Sequence, residues 1–270
     1  MNFFKEFFKA INNAIKGLSL IFEKRLWLYL FYPLIVWLLI WGLSIYAFAS
    51  LAEHISEILK EKLSITDIPE SGSWLSFTKP FLTSYFSFII AGILKVLLWF
   101  ISSTFLKYVT LIFLSPLFAI LSEKMDEQIT GKVFSFNGIQ LCKDIMRGIA
   151  MSIRNMMMEY FFIATCFIIT LLFPPLAIIT APFLLLTSWY FIGFTMLDYN
   201  FERYKMTISQ SVQFMRTHKG LACGIGAVFS FFMLLPAFVG IMFGSVLAVT
   251  AATICYIEMT QNNHSSLRLV

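Results

Sequence analysis

The sequence predicts an all-α integral membrane protein, and three observations support this class. Of the 270 residues, 59% are hydrophobic and 13% are charged, whereas an average soluble domain carries roughly 25% charged residues. The apolar residues form continuous runs, whereas the strands of a membrane barrel would alternate apolar and polar positions. Prolines interrupt both apolar runs of the second half of the chain. The predicted architecture is a single membrane domain over residues 1–270, with an N-terminal amphipathic helix, two long transmembrane helices and two proline-broken, partly inserted helical hairpins.

The first element is an amphipathic helix over residues 1–20. Its apolar residues recur at intervals of three and four, and charged or amide side chains fill the opposite side, which is helical periodicity. Charges occur throughout the segment, so it lacks the uninterrupted apolar stretch of a signal peptide. We expect this helix to lie in the membrane interface. The alternative is a helix packed on another part of the protein.

Two long apolar regions follow. Residues 26–52 contain no charged side chain and are long enough to span a bilayer with some tilt. Residues 80–122 contain only Lys95 and Lys107 as charged residues and predict a second spanning helix. Residues 53–79 between them are polar and acidic on balance, and we expect them to form an exterior loop.

The two later apolar regions, 160–197 and 221–257, predict helical hairpins. Pro174 and Pro175 interrupt the first region, and Pro236 interrupts the second. The stretch before each proline would form only about 21 Å of helix, which is short for a hydrocarbon core of roughly 30 Å. Because proline ends one helix and favours the start of the next, each region is expected to fold back on itself. The alternative is a pair of kinked spanning helices.

The distribution of basic residues supports this topology. The segment up to residue 25 contains five Lys and Arg, the 123–159 segment five and the 198–219 segment four, against three in the 53–79 loop. If both hairpins return to the side that they left, the three basic segments share one face. By the positive-inside rule, that face is cytoplasmic, together with the N- and C-termini. We therefore expect a multi-pass membrane protein with both termini in the cytoplasm.

No enzyme motif is found in the sequence, and the scattered cysteines and histidines do not form a metal-ligand set. The chain is therefore predicted not to be an enzyme and to bind no metal, other cofactor or nucleic acid. Ionisable residues do cluster at the ends of the apolar regions. Interfacial anchoring can explain them, but some could converge into a charged network along the path of an anion. The candidates for that network are Glu123, Arg147, Arg154, Asp198 and Arg203.

Three segments carry a family resemblance: "LSPLFAILSEKMDEQITG" at 114–131, "WYFIGFTMLDYNFERYKMTISQSVQFMRTHK" at 189–219 and "GAVFSFFMLLP" at 226–236. In this order they resemble the CysZ family of sulfate transporters, within the group named after the etoposide-induced membrane protein. The resemblance implies two long spanning helices, two partly inserted hairpins, a bacterial inner-membrane location, homo-oligomeric assembly and uptake of sulfate.

In that family a glycine-led basic pair before the first spanning helix is implicated in sulfate binding. An ungapped alignment places this pair on Trp27 and Leu28, and the nearest basic residues are Lys24 and Arg25. Because an oxyanion needs charge-assisted donors, we expect Lys24 and Arg25 to make the first contact with sulfate or a similar anion. The alternative function is that of a non-transporting protein that shapes or organises membrane lipids.

Overall fold

The computed structural model describes residues 2–24, 26–40, 42–43, 104–132 and 138–267. These residues belong to two compact units, one formed by 1–37 and 108–270 and the other by 38–107. All contacts discussed below lie within the first unit. The predicted exterior loop, 53–79, lies outside the described residues, as do much of the predicted spanning helices and Arg25.

The described part of the chain contains only helices and their connections, with no strand. Four helices are long and apolar enough to cross a membrane. The prediction of an all-α membrane protein is therefore confirmed. The helices are α1 (Phe3–Glu23), a 3-10 turn (Leu26–Leu30) continuing into α2 (31–40), α3 (Thr104–Thr130), α4 (Gly138–Leu172), α5 (Ala177–Arg203), α6 (Ile208–Thr217), α7 (Lys219–Phe232) and α8 (Ala237–Leu267).

The first hairpin is longer than the sequence predicted. Helix α4 contains 35 residues, or about 52 Å of helix, whereas the predicted limb began only at Tyr160. The residues before Tyr160 are polar but contain no proline, so they extend the helix instead of ending it. Helix α7, with 14 residues, is short, as expected for the first limb of the second hairpin.

Both interruptions are turns that satisfy much of their own backbone hydrogen bonding. Pro174–Leu176 form one 3-10 turn, in which the Leu176 N–H donates to the Phe173 carbonyl at 3.0 Å. At the second turn, the Val239 N–H donates to the Pro236 carbonyl at 2.8 Å. Proline contributes no N–H of its own, so it leaves fewer donors to satisfy at the break. Pro182, in contrast, lies inside α5 without ending it.

The helices on either side of each turn pack against each other. Thr170 and Thr180 share a hydrogen bond of 2.9 Å across the first turn. The rings of Phe232 and Phe243 stack across the second, with their centroids 6.4 Å apart. The chain therefore reverses at both positions. How deep each turn lies in a membrane stays a prediction.

The two hairpins meet through backbone contact between α5 and α7. A Cβ atom added at Gly193 would lie 2.7 Å from the carbonyl carbon of Ala222, and one added at Gly226 would lie 2.7 Å from the Cα of Trp189. Side chains at these two positions would separate the helices, so glycine is required for this close approach.

Helix α1 has three distinct faces. One face is buried against α7 and α8, which confirms for that face the alternative of a helix packed on the protein. A second face is polar and exposed. The third is an exposed apolar row, as expected of a helix that also contacts lipid, although its position in the interface stays a prediction. The row consists of Phe4, Phe8, Ile15, Leu18 and Phe22.

Polar side chains attach α1 to the rest of the bundle. The Nδ1 atom of His218 lies 2.6 Å from Oε1 of the buried Glu6. Further along α1, Lys9 and Lys16 each form an ion pair of 3.1 Å with Glu258 of α8. The charged and amide side chains of α1 therefore include residues that bind the protein itself.

Candidate functional site

Most of the buried charge lies where α3 and α5 end and α4 begins, and we call this region the polar end. The C-terminal parts of α3 and α5 contact each other there. The Arg203 Nη1 atom of α5 donates to the Ser122 hydroxyl of α3 at 2.8 Å. The start of α4 joins them through an ion pair between Arg147 and Asp198. The first hairpin therefore leaves this end and returns to it.

The most deeply buried ion pair at the polar end joins Arg203 to Asp126. The Arg203 Nη2 atom lies 3.0 Å from Asp126 Oδ2, and the two side chains are 8% and 0% exposed. Arg203 Nη2 also donates to the side-chain oxygen of Asn200 at 2.8 Å. Removing one partner from such a pair would leave an uncompensated buried charge.

Two hydroxyl groups complete the environment of Asp126. Thr130 donates to its Oδ1 at 3.0 Å and Tyr204 to its Oδ2 at 2.9 Å. Burial, followed by the hydrogen bond to Asp126, raises the pKa of Tyr204 to about 12. Tyr204 therefore remains a neutral hydrogen-bond donor at physiological pH. The cluster is best explained as a structural contact that holds α3 against the end of α5.

The second ion pair joins three helices. The Arg147 guanidinium lies 3.2 Å from Asp198 Oδ1 on α5 and donates to the Ser211 hydroxyl on α6 at 2.8 Å. It also donates to the Met206 carbonyl in the connection between them. The Nε atom of Arg147 and the Oδ2 atom of Asp198 are buried without a hydrogen-bond partner among the described residues. This pair therefore contains two buried polar atoms whose hydrogen-bonding capacity is not used by the described residues.

Arg154 lies seven residues further along α4 in a different environment. It donates to the side-chain oxygen of its neutral neighbour Asn155 at 3.1 Å. Its guanidinium carbon lies 5.7 Å from the ring centroid of Phe194, which is a cation–π distance. Within the described ranges, no ion pair joins Arg154 to a carboxylate. Arg154 is therefore a half-buried cation held by neutral groups.

Comparison with known proteins decides the family. The family model described as "Sulfate transporter CysZ/Etoposide-induced protein 2.4" matches residues 13–243. This chain belongs to that family. A search of the curated proteins found no match.

Membership of the CysZ/etoposide-induced protein family directs attention to the start of α2, where the first spanning helix was predicted to begin. Trp27 and Leu28, the positions on which the ungapped alignment is expected to place the family's basic pair, are 44% and 63% exposed. Both belong to the 3-10 turn before α2. Lys24 is the exposed residue that caps the C-terminus of α1, so it is accessible to solute. The role assigned to Lys24 and Arg25 stays a prediction.

Three residues of the predicted charged network belong to two separate ion pairs, and Arg154 belongs to neither pair. Arg147 contacts Asp198, whereas Arg203 contacts Asp126, which was not among the predicted network residues. Glu123 is half-buried on α3, one turn before Asp126. The spacing of Ser122 and Asp126 was a signal for the second cluster. Residues four apart on a helix share one face, so these two side chains could be expected to contact the same partner.

A third polar pair was not predicted from the sequence. Tyr108 of α3 donates to Glu159 Oε2 of α4 at 2.7 Å, and both side chains are buried. The two residues are distant in sequence and lie in separate helices, so no local periodicity could pair them. This contact connects α3 to α4 away from the polar end.

Proposed function

We propose that this member of the CysZ/etoposide-induced protein family transports an oxyanion, with sulfate as the first candidate, across the bacterial inner membrane. The observation that carries the proposal is the environment of Arg154. An arginine within an apolar helix is costly and usually marks a path for ions or a polar partner. Family membership gives the choice of sulfate, which is doubly charged and accepts charge-assisted hydrogen bonds.

The arginines of α4 provide two positions for an anion. Arg154 and Arg147 are two turns apart, which corresponds to about 10 Å along the helix. Arg147 is partly neutralised by its ion pair with Asp198, whereas Arg154 forms no ion pair with a carboxylate among the described residues and is influenced by Asp198 only at longer range. An anion that moves along this face would therefore meet the stronger positive potential at Arg154. Lys24 and Arg25 would make the first contact.

The proposed orientation places both termini and the polar end in the cytoplasm. The turns at the far ends of the hairpins expose large apolar residues, including Leu172, Ile178 and Leu234. Exposed side chains of this kind favour turns that lie within lipid instead of water. We further propose that protomers assemble into a homo-oligomer and that the anion or ion gradient drives transport.

The test is uptake of radiolabelled sulfate by vesicles that contain the purified protein. Because a hydrogen bond to a charged group contributes about 1.5–3 kcal/mol, R154Q should lower uptake about ten- to a hundredfold. R154K keeps the charge but not the planar donor group, so it should retain part of the activity. Lys143 is exposed on the same helix, and K143Q provides a control with the same change in charge.

The double variant K24Q/R25Q tests the entry contact in the same assay. Its uptake should be lost while the protein elutes from size-exclusion chromatography as the wild type does. Uptake equal to wild type in R154Q would refute the role of Arg154, and uptake equal to wild type in K24Q/R25Q would refute the entry contact. Failure of the wild type to exceed protein-free vesicles would refute transport itself.

The exposed apolar row of α1 favours the alternative function, which is shaping of the membrane. A helix with such a row, inserted into one leaflet, expands that leaflet. Electron microscopy of the same vesicles would detect this activity as a protein-dependent decrease in vesicle diameter. Smaller vesicles without sulfate uptake would support the alternative.

A further inference from the structure

A tyrosine of α5, Tyr190, lies in the same neighbourhood as Arg154. Its ring meets the ring of Phe194 edge to face, with the two centroids 6.2 Å apart. The guanidinium carbon of Arg154 lies 5.7 Å from the centroid of the same Phe194 ring. Tyr190 and Arg154 are both half-buried. The two side chains therefore share a contact with one aromatic ring between α4 and α5.

The hydroxyl group of Tyr190 is a donor that the fold does not use. It forms no hydrogen bond with a described residue. Two charged side chains act on it electrostatically, Arg154 the more strongly and Arg216 the more weakly, and both are cations. A tyrosine hydroxyl in the field of two arginines is free to donate to an anion that those arginines attract.

Arg216 belongs to the last turn of α6 and is exposed. It forms no ion pair with a carboxylate in the part of the chain that the structure describes. Ser211, earlier on α6, accepts a hydrogen bond from Arg147 of α4 at 2.8 Å. Because Arg147 and Arg154 share one face of α4, α6 lies beside the face that carries both arginines.

We propose that Tyr190 and Arg216 complete an oxyanion site with Arg154. The two guanidinium groups supply positive charge from α4 and α6, and the Tyr190 hydroxyl donates a hydrogen bond from α5. Two cations match the double charge of a tetrahedral oxyanion such as sulfate or selenate, so the site favours divalent over monovalent anions. This inference rests on the proposed role of Arg154, and it adds the residues that determine specificity.

Isothermal titration calorimetry of the purified protein with sodium sulfate tests the site. Y190F keeps the ring that packs on Phe194 but loses the donor, so sulfate affinity should fall about ten- to a hundredfold. R216Q removes an exposed positive charge and should weaken binding about tenfold. Lys205 is an exposed cation in the connection before α6, and K205Q should bind sulfate as the wild type does.

Competition between anions separates a role in specificity from a role in structure. Selenate should displace sulfate from the wild type at similar concentrations, whereas the monovalent anion nitrate should require a far higher concentration. R216Q leaves one of the two charges, so the ratio of sulfate affinity to nitrate affinity should fall. A loss of structure would instead lower both affinities alike and leave that ratio unchanged.

Chemical modification of the wild type provides a measurement that requires no altered protein. Phenylglyoxal reacts with accessible arginines, and the modified peptides are identified by mass spectrometry. Sulfate should protect Arg216 from the reagent. Sodium chloride at the same ionic strength should give little protection, because chloride carries a single charge and screens both salts equally.

Four results would overturn this site. They are a wild type that binds no sulfate, sulfate affinity in Y190F and R216Q equal to that of the wild type, an unchanged affinity ratio in R216Q, and no protection of Arg216. If R154Q loses uptake while Y190F and R216Q bind sulfate normally, the proposed function stands and this site is wrong. If the wild type binds sulfate here without taking it up into vesicles, transport is wrong and the binding site stands.

Discussion

Substitution of Gly226 by alanine tests the backbone contact between α5 and α7. The added Cβ atom would lie 2.5 Å from the carbonyl carbon of Trp189, whereas ordinary contacts begin at 3.4 Å. The helices would have to separate by roughly 1 Å, and overpacking of this kind costs about 1–3 kcal/mol. The neighbouring atoms are backbone, so no side-chain rotation can relieve the contact.

The control is the same substitution at Gly148 of α4, where a Cβ atom would meet only the Ser115 side chain at 3.9 Å. Alanine gains about 1 kcal/mol of helix propensity over glycine at either site. This gain cancels in the comparison. We therefore expect the free energy of unfolding of G226A to be about 1–3 kcal/mol below that of G148A.

Unfolding in mixed micelles of increasing sodium dodecyl sulfate fraction, followed by circular dichroism, measures this difference. Equal stability of the two variants would show that α5 and α7 do not approach each other as closely as the structure indicates. A G148A variant less stable than the wild type would refute the argument that the contact surface around Gly148 has room for a methyl group.

Two further predictions concern the polar end. D126N leaves Arg203 buried without its carboxylate and should lower the free energy of unfolding by about 3–5 kcal/mol in the same assay. K124Q removes an exposed ion pair and should cause little change in stability. Equal losses of stability in D126N and K124Q would refute the structural role of the buried pair between Asp126 and Arg203. Cysteines placed at Lys132 and Ser209, both exposed, should react with a membrane-impermeant maleimide from the same side of the membrane. Labelling from opposite sides would refute the return of the first hairpin.

The sequence predicted those features that depend on local chemistry. Pro174 and Pro236 mark turns because proline lacks an N–H and restricts the backbone. The periodicity of the first twenty residues predicted α1. The start of α4 was not predicted, because polar residues in a membrane protein were interpreted as a connection. A helix continues through polar residues when they face other helices or water, as Arg147 does with Asp198 and Ser211.

The sequence could not predict which basic residue pairs with which acidic residue in the two charged clusters. Arg203 and Asp198 are both on α5, five residues apart, and therefore face different directions. Which one meets α3 and which meets α4 depends on the rotation of α5 about its axis. That rotation is determined by contacts with α7 at Gly193 and Gly226, which are long-range and have no signature in local spacing.

The glycine contact between α5 and α7 also limits how the protein can open. Atoms of one backbone rest directly on the other, so these helices cannot slide or tilt relative to each other without collision. The contacts of α4 with α5 are different, because long and adjustable side chains such as Arg147 and Arg154 bridge them. The passage that the proposed transport requires would therefore form by movement of α4, while the contact between α5 and α7 stays fixed.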